Sequence, residues 1–236
     1  MAERLFNTGY VGAAVETTAG TAVTPTDYFE SYDVSITTNR NLQELEPAAG
    51  NVYSTQAVVA GLRDHTGDMT LIFEPNTAEK LFAMMLAVGS KTGTDPYTST
   101  GTLSASAPKS YTFDIASGNI VQRYMGCQVG KLSMEVNSNE IRIKPSISAL
   151  ASFQGREIAT VSTTTITLKT DYDPKPNNGL VASDLVRLYK ISDGTTLDTT
   201  VSSVNADGIT VVLGASAAAF AAGDMIYLPT NCATSC

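Results

Sequence analysis

The sequence predicts an all-β protein with one flanking α-helix and a small additional β domain at its C-terminal end. Three observations lead there. Tryptophan is absent and the chain is threaded with short runs rich in Val, Ile and Thr. Several of those runs alternate apolar and polar residues, the period of a half-buried strand. The stretch "VQRYMGCQVGKLSMEVNSNEIRIKPSISA", Val121 to Ala149, has the strongest such pattern and reads as a hairpin with one dry and one wet face. A chain of 236 residues, 43% hydrophobic and 16% charged, suits one large β domain or two smaller ones, and sets aside a disordered acidic chain.

Taken in order, residues 1–30 have loop composition. "YFESYDVSITT" alternates, with Val34 and Ile36 on one face and Asp33, Ser35 and Thr37 on the other. Residues 39–66 form a long polar segment containing Pro47, Gly50 and Gly61, read as an extended hairpin loop that leaves the body of the domain. "GDMTLIFEP" is a strand with Met69, Leu71 and Phe73 inward. It is followed by the helix, residues 77–88: Asn76 and Glu79 make a capping box, Leu81, Met84, Met85 and Val88 an apolar stripe, and Gly89 the left-handed end. "KSYTFDI" places Tyr111, Phe113 and Ile115 in step. In the hairpin beyond it, Leu132, Met134, Val136, Ile141, Ile143 and Ile147 form the dry face. A one-residue slip would put every isoleucine into water, so the register is well specified. Pro145 has no N–H for a ladder and is expected at an edge or a bulge. After Phe153 the texture changes to short strands separated by Gly, Asp and Asn turns. The domains are therefore read as 1–153 and 154–236.

The formal net charge is −8, with no cluster of Lys and Arg to grip phosphates. An acidic surface repels DNA and anionic membranes, an asset where DNA must slide without sticking. The N-terminus is charged at once and does not read as a signal peptide, and no run approaches a membrane span. Cys127, Cys232 and Cys236 are too few for a disulfide scaffold and fit a reducing cytoplasm. The sole histidine, His65, lies among polar residues with Asp64 and Asp68 nearby. No nucleophile motif accompanies it, and the expectation is a solvated side chain. Cys232 and Cys236 lack two further zinc ligands. "TDYDPKPNNG" has Lys175 where calcium would need an oxygen, and reads as a plain turn. No catalytic residue, metal or cofactor is expected.

Three stretches in this order carry a resemblance: "GAAVETTAGTAVTPTDYFESYDVSIT", "GLRDHTGDMTLIFEPNTAEKLFAMMLAVG" and "KSYTFDIASGNIVQRYMGCQVGKLSMEV". Together they span about residues 9–153, and they resemble the tail tube proteins of long-tailed bacteriophages. The resemblance implies a tail-tube-type β-sandwich or barrel. It also implies a structural subunit that assembles with itself into rings, usually hexamers, stacked as a hollow conduit for DNA delivery. On that reading the wet-face residues Ser133, Glu135, Arg142 and Lys144 line the lumen. The 39–66 segment contacts an adjacent ring through Glu44, Glu46, Arg63 and Asp64, with Val58, Val59 and Leu62 as apolar contacts. The tape measure protein and tail terminator are the implied partners, DNA passes without specific binding, and no membrane is involved. The implied location is the virion tail, assembled in the host bacterial cytoplasm. The second domain is expected to decorate the outside. If it were inserted, the chain would return to the tube sheet, yet the sequence stops at Cys236. A tail terminator, baseplate or capsid decoration protein is the alternative.

Overall fold

The computed structural model describes residues 10–45, 57–73, 79–80, 82–88, 92–94, 98, 100–102, 109–117, 120–138, 140–169 and 179–229. Six strands pair in a closed cycle: β1 (Tyr10–Val15), β2 (Asp27–Leu45), β3 (Ala57–Ile72), β6 (Tyr111–Ser117), β7 (Ile120–Val136) and β8 (Ile141–Ala149), in the order β7-β6-β1-β2-β3-β8 and back to β7. All contacts in this cycle are antiparallel. The alternation seen in the sequence is what fills it. Phe113, Leu71, Ile143 and Cys127 are fully buried and pack with Val11, Met69, Tyr124 and Ile147 as one core. Burying a side chain of this size contributes about 1.5–3 kcal/mol.

The expected helix is not there at its full length. Residues 79, 80, 82 and 83 make a helical turn, after which the chain turns and Ala87–Val88 (β4) pairs with Gly101–Thr102 (β5). A competing donor explains the early end. The Tyr111 hydroxyl donates to the Ala83 carbonyl at 3.0 Å, taking the acceptor that a continuing helix would offer to residue 87. Asn76 and Gly89 lie outside the described residues.

Three other expectations are corrected. Residues 39–45 and 57–66 are strand, not loop: they extend β2 and β3 into a long antiparallel ribbon, registered from Ser31↔Leu71 out to Leu45↔Ala57. His65 is buried, not solvated. Its Nδ1 lies 2.8 Å from Thr38 Oγ1 and its ring meets Tyr124 edge-on at 5.9 Å. Pro145 is not on an edge, since β8 has β7 on one side and β3 on the other. The β3 ladder instead lapses between Ser146 and Ile143, where the missing N–H would have been needed.

A second cycle follows β9 (Ala151–Phe153). Its strands are β10 (Arg156–Ser162), β11 (Thr165–Leu168), β12 (Leu185–Tyr189), β13 (Thr196–Val204), β14 (Thr210–Leu213) and β15 (Met225–Pro229), paired in the order β10-β11-β14-β13-β12-β15 and back to β10. Exchanging β10, β11 and β12 for β13, β14 and β15 leaves this order of neighbours unchanged, so the strand order of the ring is twofold symmetric. The sequence carries the same repeat. "VASDLVRLY" leads into β12 and "AAGDMIYLP" into β15. In each, the Asp side chain accepts from the backbone N–H three residues before it: Asp184 from Val181 and Asp224 from Ala221, both at 2.9 Å. Ile158, Ile166, Val186, Leu188, Val211 and Ile226 fill the interior with no exposure.

The chain does return to the first barrel. Leu228 and Pro229 of β15 pair with Val121 and Ile120 of β7, and one continuous core joins Val121 and Met125 to Leu180 and Leu228. A buried ion cluster crosses the same junction. Arg123, 2% exposed, donates from Nε and Nη2 to the Asp114 carboxylate at 2.6 and 2.7 Å, from Nη1 to Asp184 at 2.5 Å, and from Nη1 to the Gly179 carbonyl at 2.9 Å. Burial pushes the Asp114 carboxyl up, against the pull of the Arg123 guanidinium, and the two carboxylates hold Arg123 firmly protonated. Gly179 has φ +74°, and a Cβ there would fall 2.5 Å from Phe153 Cβ, so only glycine brings its carbonyl to Arg123. Glu16 organises the other side. Its carboxylate accepts from the N–H groups of Gly20 and Gly126 and from the Thr112 hydroxyl, each at 2.8 Å. This explains the spacing of Glu16 and Gly20 in the first of the three stretches above.

Candidate assembly surface

Beyond the first barrel, four strand segments continue as a sheet in the order β2-β3-β8-β7. Its two outer edges are open among the described residues. β1 covers β2 only from Asp27 to Glu30, leaving Ser31 onward without a neighbour on that side. β6 covers β7 only from Ile120 to Cys127, leaving Gln128–Val136 free on that side. Gly126, at φ +65°, and the bulge between Val129 and Lys131 mark where β7 leaves the barrel wall.

The register places one set of residues on each face. Lys131↔Ser146, Ser146↔Asp68 and Asp68↔Ser35 are successive partners across the sheet, as are Glu135↔Arg142 and Arg142↔Ile72. The expected wet-face residues Ser133, Glu135, Arg142 and Lys144 therefore do share one face, together with Asp33, Asp68 and Lys131. It carries charge of both signs: Asp33, Asp68 and Glu135 beside Lys131, Arg142 and Lys144, with Glu140 next to Arg142. Lys144 Nζ donates to Glu135 at 2.6 Å, and the Ser133 hydroxyl donates to the Lys144 carbonyl at 3.3 Å. Arg142 pairs with Glu140 and lies 4.4 Å over the Tyr32 ring, whose hydroxyl also donates to Glu140. The hydrogen bond from Lys144 holds the Glu135 carboxyl below its usual range. Those from Tyr32 and then Arg142 do the same for Glu140.

The opposite face only partly matches the expected dry side. Ile143 and Ile147 are buried and Leu132 packs on the core, but Met134 is 48% and Val136 66% exposed. The hairpin tip runs past the body of the barrel, so among the described residues nothing covers Met134 and Val136.

In the β2–β3 ribbon, Glu44 is registered with Val58, Gln43 with Val59, and Asn39 with Asp64. Leu62 lies in β3 between Ala60 and Arg63. Asp64 is exposed and Arg63 half-buried. Glu46 lies outside the described residues, as do Cys232, Cys236 and residues 170–178, where a turn was expected. Sequence reasoning missed the Arg123 cluster and the Glu16 hub, whose members are far apart in the chain. Among the described residues no group of three or more His, Cys, Asp and Glu side chains is placed to hold a metal ion.

Comparison with known proteins settles the family. A model of the phage tail tube protein family matches residues 7–226, nearly the whole chain. The protein belongs to the phage tail tube family. No curated protein matches the chain. A tail tube protein is a structural component of the virion tail, which accords with an all-β body organised around sheet pairing. The family match runs through the second barrel and ends inside β15.

Proposed function

We propose that this tail tube protein is the ring-forming subunit: copies join edge to edge, rings of six stack, and the hollow tube conducts DNA during delivery. One observation carries the reading. The four-stranded sheet has two open edges, and its strands alternate in direction, so β7 of one copy meets β2 of the next in the antiparallel sense. Such a head-to-tail contact closes into a ring and removes both edges, which would otherwise invite aggregation. Six sheets of four strands, about 4.8 Å apart and tilted as in a barrel, close a backbone cylinder roughly 40–50 Å across, wide enough for a DNA duplex.

The wet face then lines the lumen, with Ser133, Glu135, Arg142 and Lys144 on its wall. Its charges are of both signs and largely paired with one another, which suits a surface that DNA slides past. The β2–β3 ribbon reaches the adjacent ring, with Glu44, Glu46, Val58, Val59, Leu62, Arg63 and Asp64 as its contact set. The second barrel decorates the outside. The tape measure protein and tail terminator are the further partners, and assembly takes place in the host cytoplasm. Negative-stain electron microscopy over a concentration series tests this. Rings or tubes are expected from the full chain, and folded monomers without tubes from a deletion of Leu45–Ala60. Tubes from that deletion would sink the role given to the ribbon. Monomers of the full chain at every concentration would favour a terminator or decoration protein.

A further inference from the structure

The charges of the four-stranded sheet are not spread evenly. Most are matched: Lys144 with Glu135, Arg142 with Glu140, and Asp68 with the Ser146 hydroxyl. One on each open edge is not. Asp33 stands on the free edge of β2 and Lys131 on the free edge of β7. Both are exposed, and neither has an ion pair or side-chain hydrogen bond. They lie on the same face, because Lys131 is in register with Ser146, Asp68 and Ser35, and Ser35 is two residues from Asp33. A lone acid on one edge and a lone base on the other, facing the same side, are complementary when the occupant of each edge is a second copy of this chain.

We infer that Lys131 of one subunit pairs with Asp33 of its neighbour, and that this pair fixes the register in which β7 adds to β2. The inference rests on the ring reading above. The junction is antiparallel. Joining neighbouring sheets without stagger sets Ser133 against Asp33, with Lys131 on one diagonal and Glu135 on the other. Shifting by two residues, a stagger of the kind that tilts strands in a barrel, sets Lys131 directly against Asp33 and moves Glu135 away. Slipping by one residue turns the wet face of one copy against the dry face of the next. Slipping by two in the wrong sense puts Glu135 opposite Asp33, where like charges repel. Among these registers, the one with Lys131 across from Asp33 keeps the faces aligned and the charges matched. A closed ring repeats the contact at every junction, so a small local preference is multiplied.

The test uses the full chain with Asp33→Lys and Lys131→Asp, alone and together, followed by negative-stain microscopy and light scattering. Each single reversal is expected to raise the concentration at which rings appear by about tenfold or more, and the double swap to restore it. Both side chains are exposed, so wild-type circular dichroism and melting are expected throughout. Should a reversal lower the melting temperature, the isosteric Asp33→Asn is expected to shift assembly in the same direction by a smaller factor. Single variants that assemble like wild type overturn the pair and leave the ring reading standing, as does a double swap no better than the singles. A wild-type chain that never assembles overturns the ring reading and the pair with it.

Discussion

The two barrels use the same device, a six-strand antiparallel cycle, to opposite ends. In the second, short strands of 4 to 9 residues are consumed by pairing within the cycle, apart from the end of β15, which pairs with β7, and the strand order of one half repeats in the other. In the first, β2 and β7 are 19 and 17 residues long and outrun their neighbours β1 and β6, which have 6 and 7. The excess becomes a sheet with two free edges and a ribbon. Strand length mismatch is thus what separates a barrel whose strands are paired out from one that leaves strand edges open among the described residues. The candidate surface for assembly lies where pairing runs out, not where the chemistry is richest.

If the junction makes the two barrels one body, breaking it should have the largest effect on stability. Arg123→Ala leaves Asp114 and Asp184 buried without their cation and removes a donor to Gly179. A loss of about 3–5 kcal/mol is expected in urea unfolding. A loss below about 1 kcal/mol would mean that β15 and the shared apolar core hold the barrels together unaided.

A finer comparison lies inside the second barrel. Asp184 and Asp224 occupy equivalent places in the repeat and cap their turns in the same way. Only Asp184 also faces Arg123; Asp224 accepts instead from the Ile191 N–H at 3.1 Å. Asp224→Asn should cost about 1–2 kcal/mol, as a weakened charged cap, and Asp184→Asn about 3 kcal/mol, since it also unbalances the ion cluster. Equal losses would show that the repeat's local turn, not the junction, is what both residues serve.

Most strands were legible because each has a core face to keep apolar. Tyr111, Phe113 and Ile115 alternate inward, as do Ile166 and Leu168. Where that constraint is absent the reading failed. The outer β2–β3 ribbon pairs along one edge only, with no barrel wall to impose a period, so residues 39–66 look like loop. The helix failed for the converse reason: its capping box and stripe obey local rules, but Tyr111 and the β5 strand, both distant in sequence, decide where it stops. The wet face of the hairpin was legible residue by residue. That Met134 and Val136 would lack cover was not, since the sequence shows which face is dry but not how far the strand outruns its core. The Arg123 cluster draws its members from β6, β7 and the turn before β12, and no local pattern announces it. The Asp184 and Asp224 repeat was open to inspection and matches the symmetry of the strand order.

The smallest expected effect closes the comparison from the other side. Glu135 and Lys144 are as close, at 2.6 Å, as Arg123 and Asp114, but their side chains are 46% and 44% exposed. Water already solvates both charges and screens their attraction, so the pair adds little to the fold. Glu135→Gln is therefore expected to leave the melting temperature at neutral pH unchanged within error. The sign of any contribution is fixed. The folded carboxyl is held below its unfolded value, so whatever it stabilises is present above about pH 4.3 and is lost as pH falls through the lower folded value. Wild type and variant should then converge in acid rather than diverge. Two ion pairs of equal length would thus differ only in what surrounds them, and the exposed one would be free to serve the wall of a tube. A drop at neutral pH comparable to that of Arg123→Ala would mean instead that the hairpin is part of the scaffold, and the line drawn here between a finished barrel and an unfinished sheet would fall.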